Sequence, residues 1–311
     1  MQKIIVTGAT GQIGSELTVE LRKRINKDAV IAVGHSKKPT GELAEGPFVS
    51  LDVSDKAALD ALVMQHQPDT IFHLVGILSA TGEKNPDLAW NVNMGGLKNV
   101  LDIARDRKIE KVFWPSSIAA FGPTTPRDAT PQHTILEPTT MYGATKVAGE
   151  LLCQYYWKKY GLDVRSLRYP GLISYKTPPG GGTTDYAVAI YFDAKKKKSY
   201  ECFVSPETVL PMMYMPDAVR ATIDLMDAEA ERVNVRTSYN ITAMSFSAQE
   251  LAEEVARCIP GFRCTYQPDD RQRIADSWPR SIDDSAAKSD WGWKPSFDLH
   301  AMSEDMFAHI S

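Results

Sequence analysis

The sequence predicts an α/β protein in which a doubly wound parallel sheet carries a smaller C-terminal lobe, and three observations indicate this fold. Short β-rich runs alternate with longer helix-compatible runs up to about residue 170. A glycine-rich turn joins the first such strand to the first helix. The alternation fades after Pro170, where a stretch rich in proline and glycine begins.

The elements follow in order along the chain. Apolar residues recur at helical spacing within 91–107, at Leu97, Val100, Leu101 and Ala104. Gly161 is placed to end a second helix, about 139–160. The predicted strands are 3–7, 30–33, 70–74, 111–114 and 164–167, and the predicted helices are 12–24, 56–65, 91–107 and about 139–160.

Composition narrows the function classes. The 311 residues include 35 Lys+Arg and 39 Asp+Glu, so no broad basic surface indicates nucleic acid, and we expect a small-molecule partner. The longest apolar run, 71–78, is far short of the ~20 residues that cross a bilayer, so no membrane partner is expected. Nothing at the N-terminus resembles a signal peptide, which predicts a cytoplasmic location. The four cysteines form no CxxC pair, and no metal site is predicted.

A glycine loop follows the first strand directly and opens the first helix. Gly8 permits a tight turn, Gly11 lets the backbone approach a pyrophosphate, and Gly14 permits close packing of helix on strand. Thr10, Gln12 and Ile13 complete the loop. The spacing is GxxGxxG rather than GxGxxG, but its place in a βαβ series predicts a Rossmann dinucleotide site.

The end of the second strand bears on the choice of dinucleotide. An acidic residue there usually holds the ribose hydroxyls of NAD, whereas this chain has Gly34, followed by His35 and Ser36. Lys37 and Lys38 leave room for the 2′-phosphate of NADP, although they equally fit a solvated loop. Asp52, after the next strand, is expected near the adenine. We therefore prefer NAD without excluding NADP.

Residues 1–173 are predicted to form the dinucleotide-binding domain, with later strands returning from about 208–242. Residues 174–311 are predicted to form mainly a substrate-binding lobe and lid. Ligands of open α/β sheets bind at the carboxyl ends of the strands, which places the substrate between these two parts.

Tyr and Lys residues four positions apart share one face of a helix. About 0.8 such matches are expected by chance, and the chain has three: Tyr142/Lys146, Tyr155/Lys159 and Tyr191/Lys195. Only Tyr142 lies near the start of a long helix that follows a strand ending in hydroxyls, Ser116 and Ser117.

This arrangement predicts catalysis of alcohol oxidation. Tyrosine has a reference pKa of ~10, so the Lys146 ammonium is expected to stabilise the Tyr142 phenolate. Ser117, favoured over Ser116, would orient the substrate hydroxyl. Tyr142 would then remove its proton as hydride leaves the same carbon for a nicotinamide.

With these residues in place, the chain resembles the extended short-chain dehydrogenase/reductases and, more narrowly, the short-chain L-threonine 3-dehydrogenases. The resemblance covers nearly the whole chain. It is carried by the glycine loop with 10–17, by Asp52, by Asn93 in 93–97, by the Ser117, Tyr142 and Lys146 set, and by the segments 113–119, 121–126, 168–174, 177–186 and 275–279.

The resemblance implies NAD-dependent oxidation of the 3-hydroxyl of L-threonine to 2-amino-3-oxobutanoate. By matching positions, Ser79, Ser117, Tyr142 and Thr184 would contact the amino acid, and 177–186 would close over it. The nucleotide contacts it implies are Gly8, Thr10, Gly11, Gln12, Ile13, Gly14, His35, Ser36, Asp52, Val53, Leu74, Asn93, Ser116, Tyr142, Lys146 and Leu172. A homodimer through helices 91–107 and 139–160 is a further expectation of the family.

Three points stay open in the sequence. A threonine carboxylate needs a donor, for which Arg127 is the first candidate and Arg168 the second, although each equally fits a structural ion pair. Trp278 either lines the pocket or belongs to the core. A nucleotide-sugar epimerase or dehydratase of the same fold, or a regulator that senses NAD(P) without turnover, are the alternative functions.

Overall fold

A parallel sheet forms the centre of the molecule, as predicted. The computed structural model describes residues 1–310, and within them seven strands pair in the order β10-β6-β5-β4-β1-β2-β3, every pair parallel. Their bounds are β1 Ile4–Thr7, β2 Val30–Gly34, β3 Phe48–Ser50, β4 Thr70–His73, β5 Lys111–Ser117, β6 Asp163–Tyr169 and β10 Tyr239–Asn240.

Helices cover both faces of this sheet. Those of the first half are α1 Gln12–Arg24, α2 Lys56–His66, α3 Ser79–Lys84, α4 Pro86–Trp90, α5 Gly96–Asp106 and α6 Met141–Tyr160. A π-helical turn, Asn91–Gly95, joins α4 to α5, so the predicted helix 91–107 is interrupted at its start. Helix α6 ends at Gly161, which adopts the left-handed conformation predicted for it (φ 69°).

Alternation along the strands builds two separate cores. Ile4 and Val6 point to one face, where they pack with Leu17 of α1. Ile5 points to the opposite face and packs with residues of α2, α5 and α6. Side chains of a strand alternate between faces with a period of two, so a buried strand supplies both layers. This explains why β1 and β2 are almost entirely apolar.

The remaining elements form the smaller lobe. Its strands are β7 Gly171–Ile173, β8 Ser199–Cys202, β9 Val209–Tyr214, β11 Met244–Ser247 and β12 Arg263–Tyr266. Its helices are α7 Tyr186–Lys197, α9 Ala248–Cys258, α10 Asp270–Asp276, α11 Ser285–Trp291 and α12 Leu299–His309, while α8 Met215–Asp227 returns to the central sheet. Strands β11, β9 and β7 form one small sheet, and β12 pairs with β8.

The strands of 208–242 divide between the two parts. Only β10 joins the central sheet, beside β6, whereas β9 pairs with β7 and β11. The domain division at residue 173 stays a prediction. Throughout residues 1–310, no helix combines the length and the apolar character that a membrane crossing requires.

Candidate active site

The glycine loop has the geometry that a dinucleotide requires. Gly8 has φ of 75°, a left-handed conformation that favours glycine. A Cβ on Gly14 would lie 2.2 Å from the Gly8 carbonyl oxygen, so only glycine permits this approach. Gly11 caps α1, and no side chain of the described residues bonds to the helix terminus there. The N–H groups at this terminus therefore suit a pyrophosphate.

The second strand ends beside this loop. A Cβ on Gly34 would lie 3.0 Å from Thr10 Oγ1 and 3.1 Å from Phe48 Cε2, so the position is close-packed. His35 and Ser36 are exposed. Hydrogen bonds from Ser54 hold the pKa of Asp52 below its usual value, and His35 contributes electrostatically. His35 and Asp52 thus lie near each other at the adenosine end predicted for the nucleotide.

A cleft of about 880 Å³, including its open mouth, extends from the glycine loop to the smaller lobe. Eleven residues predicted from the sequence line it, namely Gln12, Ile13, Leu74, Ser79, Ser116, Ser117, Tyr142, Lys146, Leu172, Thr184 and Trp278. The cleft therefore joins the predicted nucleotide loop to the predicted substrate residues at the carboxyl edge of the sheet.

Tyr142, Lys146 and Ser117 meet in this cleft. Lys146 Nζ lies 5.2 Å from the Tyr142 ring centroid and donates a hydrogen bond of 2.5 Å to the Pro115 carbonyl. Ser117 Oγ accepts a hydrogen bond from the Ala119 N–H, and the Ser117 hydroxyl lies close enough to the Tyr142 phenol to lower its pKa. Strand β5 extends to Ser117, three residues beyond the predicted end, and this extension brings the serine to the phenol.

Burial opposes ionisation of both Tyr142 and Lys146. It raises the pKa of Tyr142 to about 12, and the Ser117 hydrogen bond lowers it. It lowers the pKa of Lys146 to about 7, against the opposing effect of Glu150. Ser117 thus favours the phenolate, while Lys146 Nζ is directed to the Pro115 carbonyl. Stabilisation of the phenolate by Lys146 stays a prediction.

The other two Tyr–Lys pairs lie outside the cleft. Tyr155 is 46% exposed on the surface of α6. Tyr191 is fully buried in the smaller lobe, where its hydroxyl bonds to Ser303 over 2.6 Å. Of the three pairs, only Tyr142 and Lys146 line the cleft, and the catalytic role of Tyr142 stays a prediction.

Two glycines allow helix α6 to pack closely against β5 and the turn that follows it. A Cβ on Gly149 would lie 2.4 Å from the Trp114 ring of β5, and a Cβ on Gly143 would lie 2.3 Å from the Ala119 carbonyl oxygen. Thr140 caps the helix by accepting a hydrogen bond from Gly143 N–H. The helix consequently lies close against β5 at the residues that flank Tyr142 and Lys146.

Arg168 is not available to bind the substrate carboxylate, the role for which it was the second candidate. It makes two hydrogen bonds to the Glu150 carboxylate, of 2.8 and 2.7 Å, in a fully buried ion pair. Ser116 also donates to Glu150, over 2.6 Å. The guanidinium is thus fully engaged beneath the cleft, and the alternative of a structural ion pair is the correct one.

Arg127 and Trp278 adjoin each other. Arg127 Nε donates to the Trp278 carbonyl over 3.2 Å, and Arg127 does not line the cleft formed by the described residues. Trp278 is buried yet forms part of the cleft wall, so both of its predicted roles apply. Binding of the substrate carboxylate by Arg127 stays a prediction. It would require the guanidinium to release the Trp278 carbonyl.

Asn93 links the loop after β4 to helix α6 beside the cleft. Its side chain accepts from the Ile77 N–H (2.7 Å) and donates to the Ile77 carbonyl (3.1 Å) and to Thr145 (3.2 Å). It lies in the π-helical turn, a feature common at functional sites. Val53 is buried against the start of α5. For both residues, contact with the nucleotide stays a prediction.

Sequence reasoning missed two buried polar residues near the site. Glu150 bonds to Ser116 and Arg168, as described above. His73 ends β4, and its Nδ1 lies 2.7 Å from Thr7 Oγ1, while its Nε2 has no partner among the described residues. Burial lowers the pKa of His73 to about 3, so it is neutral. The sequence signal that could have identified His73 was a polar residue at the C-terminal end of a largely apolar strand.

Comparison with known proteins identifies the family of the chain. A model of the NAD-dependent epimerase/dehydratase family matches residues 4–242, so the chain belongs to that family of enzymes. An uncharacterized epimerase/dehydratase from Staphylococcus saprophyticus is 51% identical over all of this chain and 97% of its own length.

Two solved structures confirm the resemblance to short-chain L-threonine 3-dehydrogenases. The GalE-like L-threonine dehydrogenase from Cupriavidus necator, in its holo form, is 51% identical, with a TM-score of 0.97 over 99% of this chain and all of the other. A monomeric L-threonine 3-dehydrogenase from a metagenome, in its apo form, is 48% identical, with a TM-score of 0.95 over 99% and 98% of the two chains.

Proposed function

We propose that this enzyme oxidises the 3-hydroxyl of L-threonine to 2-amino-3-oxobutanoate, with NAD as the acceptor. The observation that carries the proposal is the meeting of Tyr142, Ser117 and Lys146 in a cleft that begins at the glycine loop. The solved relatives named L-threonine dehydrogenase support the substrate, because they match nearly the whole chain at about half identity.

Each catalytic residue has a defined task. Tyr142 accepts the proton of the substrate hydroxyl, and Ser117 donates a hydrogen bond that favours the phenolate. Lys146 Nζ, bonded to the Pro115 carbonyl and 5.2 Å from the Tyr142 ring, adds a favourable charge to the phenolate when it is protonated. A bound nicotinamide nucleotide supplies the hydride acceptor. Since burial raises the pKa of Tyr142, proton transfer becomes more favourable as the pH rises.

Hydroxyl groups are the main candidates for holding the amino acid. Ser79 and Thr184 line the cleft, as the family resemblance implies. Thr183 lines it too, and its buried hydroxyl has no partner among the described residues. Burying a hydroxyl without a hydrogen-bond partner costs free energy, and a bound substrate group that forms the missing hydrogen bond can offset this cost. These three hydroxyls suit the ammonium and carboxylate of an amino acid.

The residues around the glycine loop fit a dinucleotide. Gly8, Gly11 and Gly14 leave the terminus of α1 open to phosphate, and Gln12, Ile13, Leu74 and Leu172 line the adjoining cleft. NAD is preferred to NADP on the resemblance, although Gly34 offers no carboxylate to the ribose.

The first test measures reduction of NAD by wild-type enzyme with L-threonine. Replacing Tyr142 with Phe removes the proton acceptor, and we expect kcat to fall by about 10²–10⁴ while the reduced nucleotide still binds. Tyr155→Phe is the matched control, because Tyr155 has the same Tyr–Lys spacing on the same helix but lies outside the cleft.

Three outcomes contradict the proposal or part of it. No NAD reduction with threonine, combined with conversion of a nucleotide sugar, favours the epimerase or dehydratase alternative. Equal activity of Tyr142→Phe and wild type contradicts the role of the phenol. Nucleotide binding with no turnover of either substrate favours the regulator.

A further inference from the structure

Helix α1 contacts the chain on both sides of the end of β7. Gln12 Nε2 donates to the Leu172 carbonyl over 3.4 Å, and the Ser174 hydroxyl donates to Glu16 Oε1 over 2.5 Å. Leu172 lies within β7, and Ser174 is the first residue after it. The helix that opens at the glycine loop is therefore bonded to the start of the chain segment 174–185.

The 174–185 segment closes one side of the substrate region. Its last residues, Gly182, Thr183, Thr184 and Asp185, line the cleft, and α7 begins directly after them. Asp185 accepts hydrogen bonds from the Gly181 and Gly182 N–H groups, of 2.6 and 2.8 Å. These bonds shape the end of the segment, while the start is shaped by the contacts of Ser174.

Glu16 is buried at a cost that its contacts offset. Its side chain is 9% exposed, and Ser174 is 1% exposed. Lys176 Nζ approaches Glu16 Oε2 to 3.8 Å, and the Lys176 N–H donates to the Ser174 hydroxyl over 3.0 Å. A buried carboxylate is unfavourable unless it is paired and hydrogen-bonded. Glu16, Ser174 and Lys176 thus form one connected unit between α1 and the segment.

We propose that Glu16 is a positioning residue that, through Ser174, fixes the 174–185 segment against the cleft when a dinucleotide binds the glycine loop. A nucleotide that bonds the N-terminus of α1 restrains this helix, and Glu16 lies one turn further along it. The same bond then restrains the start of the segment. Two binding sites that share such an element have a reciprocal coupling free energy.

Hydrogen–deuterium exchange of the whole enzyme tests the coupling without using catalysis. In the wild type, NADH is expected to slow exchange of the backbone amides in 174–185. In Glu16→Ala and in Ser174→Ala, NADH still binds, as measured by its fluorescence, but this protection falls by at least half. Either variant alone decides the matter if the other does not fold, and Glu16→Gln retains an acceptor for Ser174 and restores most of the protection.

Glu20→Ala is the matched control. Glu20 lies one turn further along α1 and pairs with Arg24 on the surface, so its removal leaves the protection intact. Full protection in Glu16→Ala or in Ser174→Ala, or no protection of the segment in the wild type, overturns the proposal. Loss of protection in Glu20→Ala to the same degree also overturns it, because the effect then belongs to the helix and not to Glu16.

A second measurement rests on the proposed function. With L-threonine, Glu16→Ala is expected to raise KM about fivefold, at the low end of typical coupling, with kcat changed much less. A fall in kcat at unchanged KM contradicts a positioning role. If the wild type does not oxidise threonine, the proposed function fails while the exchange experiment still tests Glu16.

Discussion

At the scale of single residues, the site depends on groups whose ionisation is disfavoured by burial. The position of Tyr142 in the cleft was predictable because its spacing to Lys146 and the serines before it are visible in the sequence. The direction of the pKa shifts was not predictable, since it depends on how deeply the helix and strand bury both groups. The effect of Ser117, which lowers the pKa of Tyr142, likewise depends on the folded structure.

The Ser117 hydroxyl is expected to set the pH dependence of the reaction. Ser117→Ala removes the hydrogen bond that lowers the pKa of Tyr142. The phenolate then forms at higher pH, so the rising limb of the profile of kcat against pH moves to higher pH. Ser117→Thr keeps the hydroxyl and is the control that should restore the wild-type profile. A shift to lower pH in Ser117→Ala would refute this assignment.

Gly34 is expected to weaken recognition of the NAD ribose. Gly34→Ala adds a Cβ that meets Thr10 and Phe48, and Gly34→Asp adds the same Cβ with a carboxylate. The difference between the two variants therefore isolates the carboxylate from the crowding. We expect Gly34→Asp to bind NADH about tenfold more tightly than Gly34→Ala, the effect of one charge-assisted hydrogen bond, and to lose affinity for NADPH. Fluorescence titration of both nucleotides measures this, and equal NADH affinities would count against it.

At the scale of elements, the strands and helices that were predicted in the first 170 residues lie within a few residues of their observed bounds, with informative exceptions. Strand β5 continues to Ser117 because its parallel pairing with β6 continues to Tyr169. The π-helical turn before α5 is held by Asn93, whose contacts with Ile77 and Thr145 are distant in sequence. Pairing and long-range side-chain contacts of this kind leave no periodic signal in a sequence.

The ion pair between Arg168 and Glu150 joins strand β6 to helix α6. Arg168→Met leaves the buried Glu150 carboxylate without its main partner, so we expect the free energy of unfolding to fall by about 3–5 kcal/mol. Denaturant unfolding measures this change. In the control Arg107→Met, the partner Asp60 is half-exposed, and the loss should stay below about 1 kcal/mol. Equal losses in the two variants would show that the buried pair has no special role.

At the scale of the whole molecule, the sequence predicted the central parallel sheet but not how the smaller lobe is built. The parallel sheet follows from local alternation, which a sequence displays directly. The small sheet of β7, β9 and β11 unites segments up to seventy residues apart, and the core around them contains residues from most of the second half of the chain. Such pairing depends on tertiary packing.

The homodimer was predicted through helices 91–107 and 139–160. Among the described residues, large exposed apolar side chains lie on α4 and α6 rather than on α5, so self-association is expected through α4 and α6. Leu88, Trp90, Leu151 and Tyr155 are large apolar or aromatic side chains exposed on these two adjoining helices. We expect the wild type to be a homodimer in sedimentation experiments and Leu151→Asp to be a monomer, because a carboxylate at a dimer interface is desolvated. Met64→Asp, on the separate helix α2, is the control and should remain a dimer. A monomeric wild type, as the metagenomic relative is described, would contradict this expectation.

The two glycines beneath α6 have a consequence for how such an enzyme can diversify. Because the helix rests directly on the Trp114 ring and the Ala119 carbonyl, the distance from the phenol to the strand is fixed by missing side-chain atoms. Residues of the smaller lobe that line the cleft, such as Thr184 and Trp278, can therefore change without moving Tyr142, the proposed proton acceptor. We expect replacements there to alter which substrate is accepted, whereas any larger residue at Gly143 or Gly149 would displace α6 and Tyr142 with it.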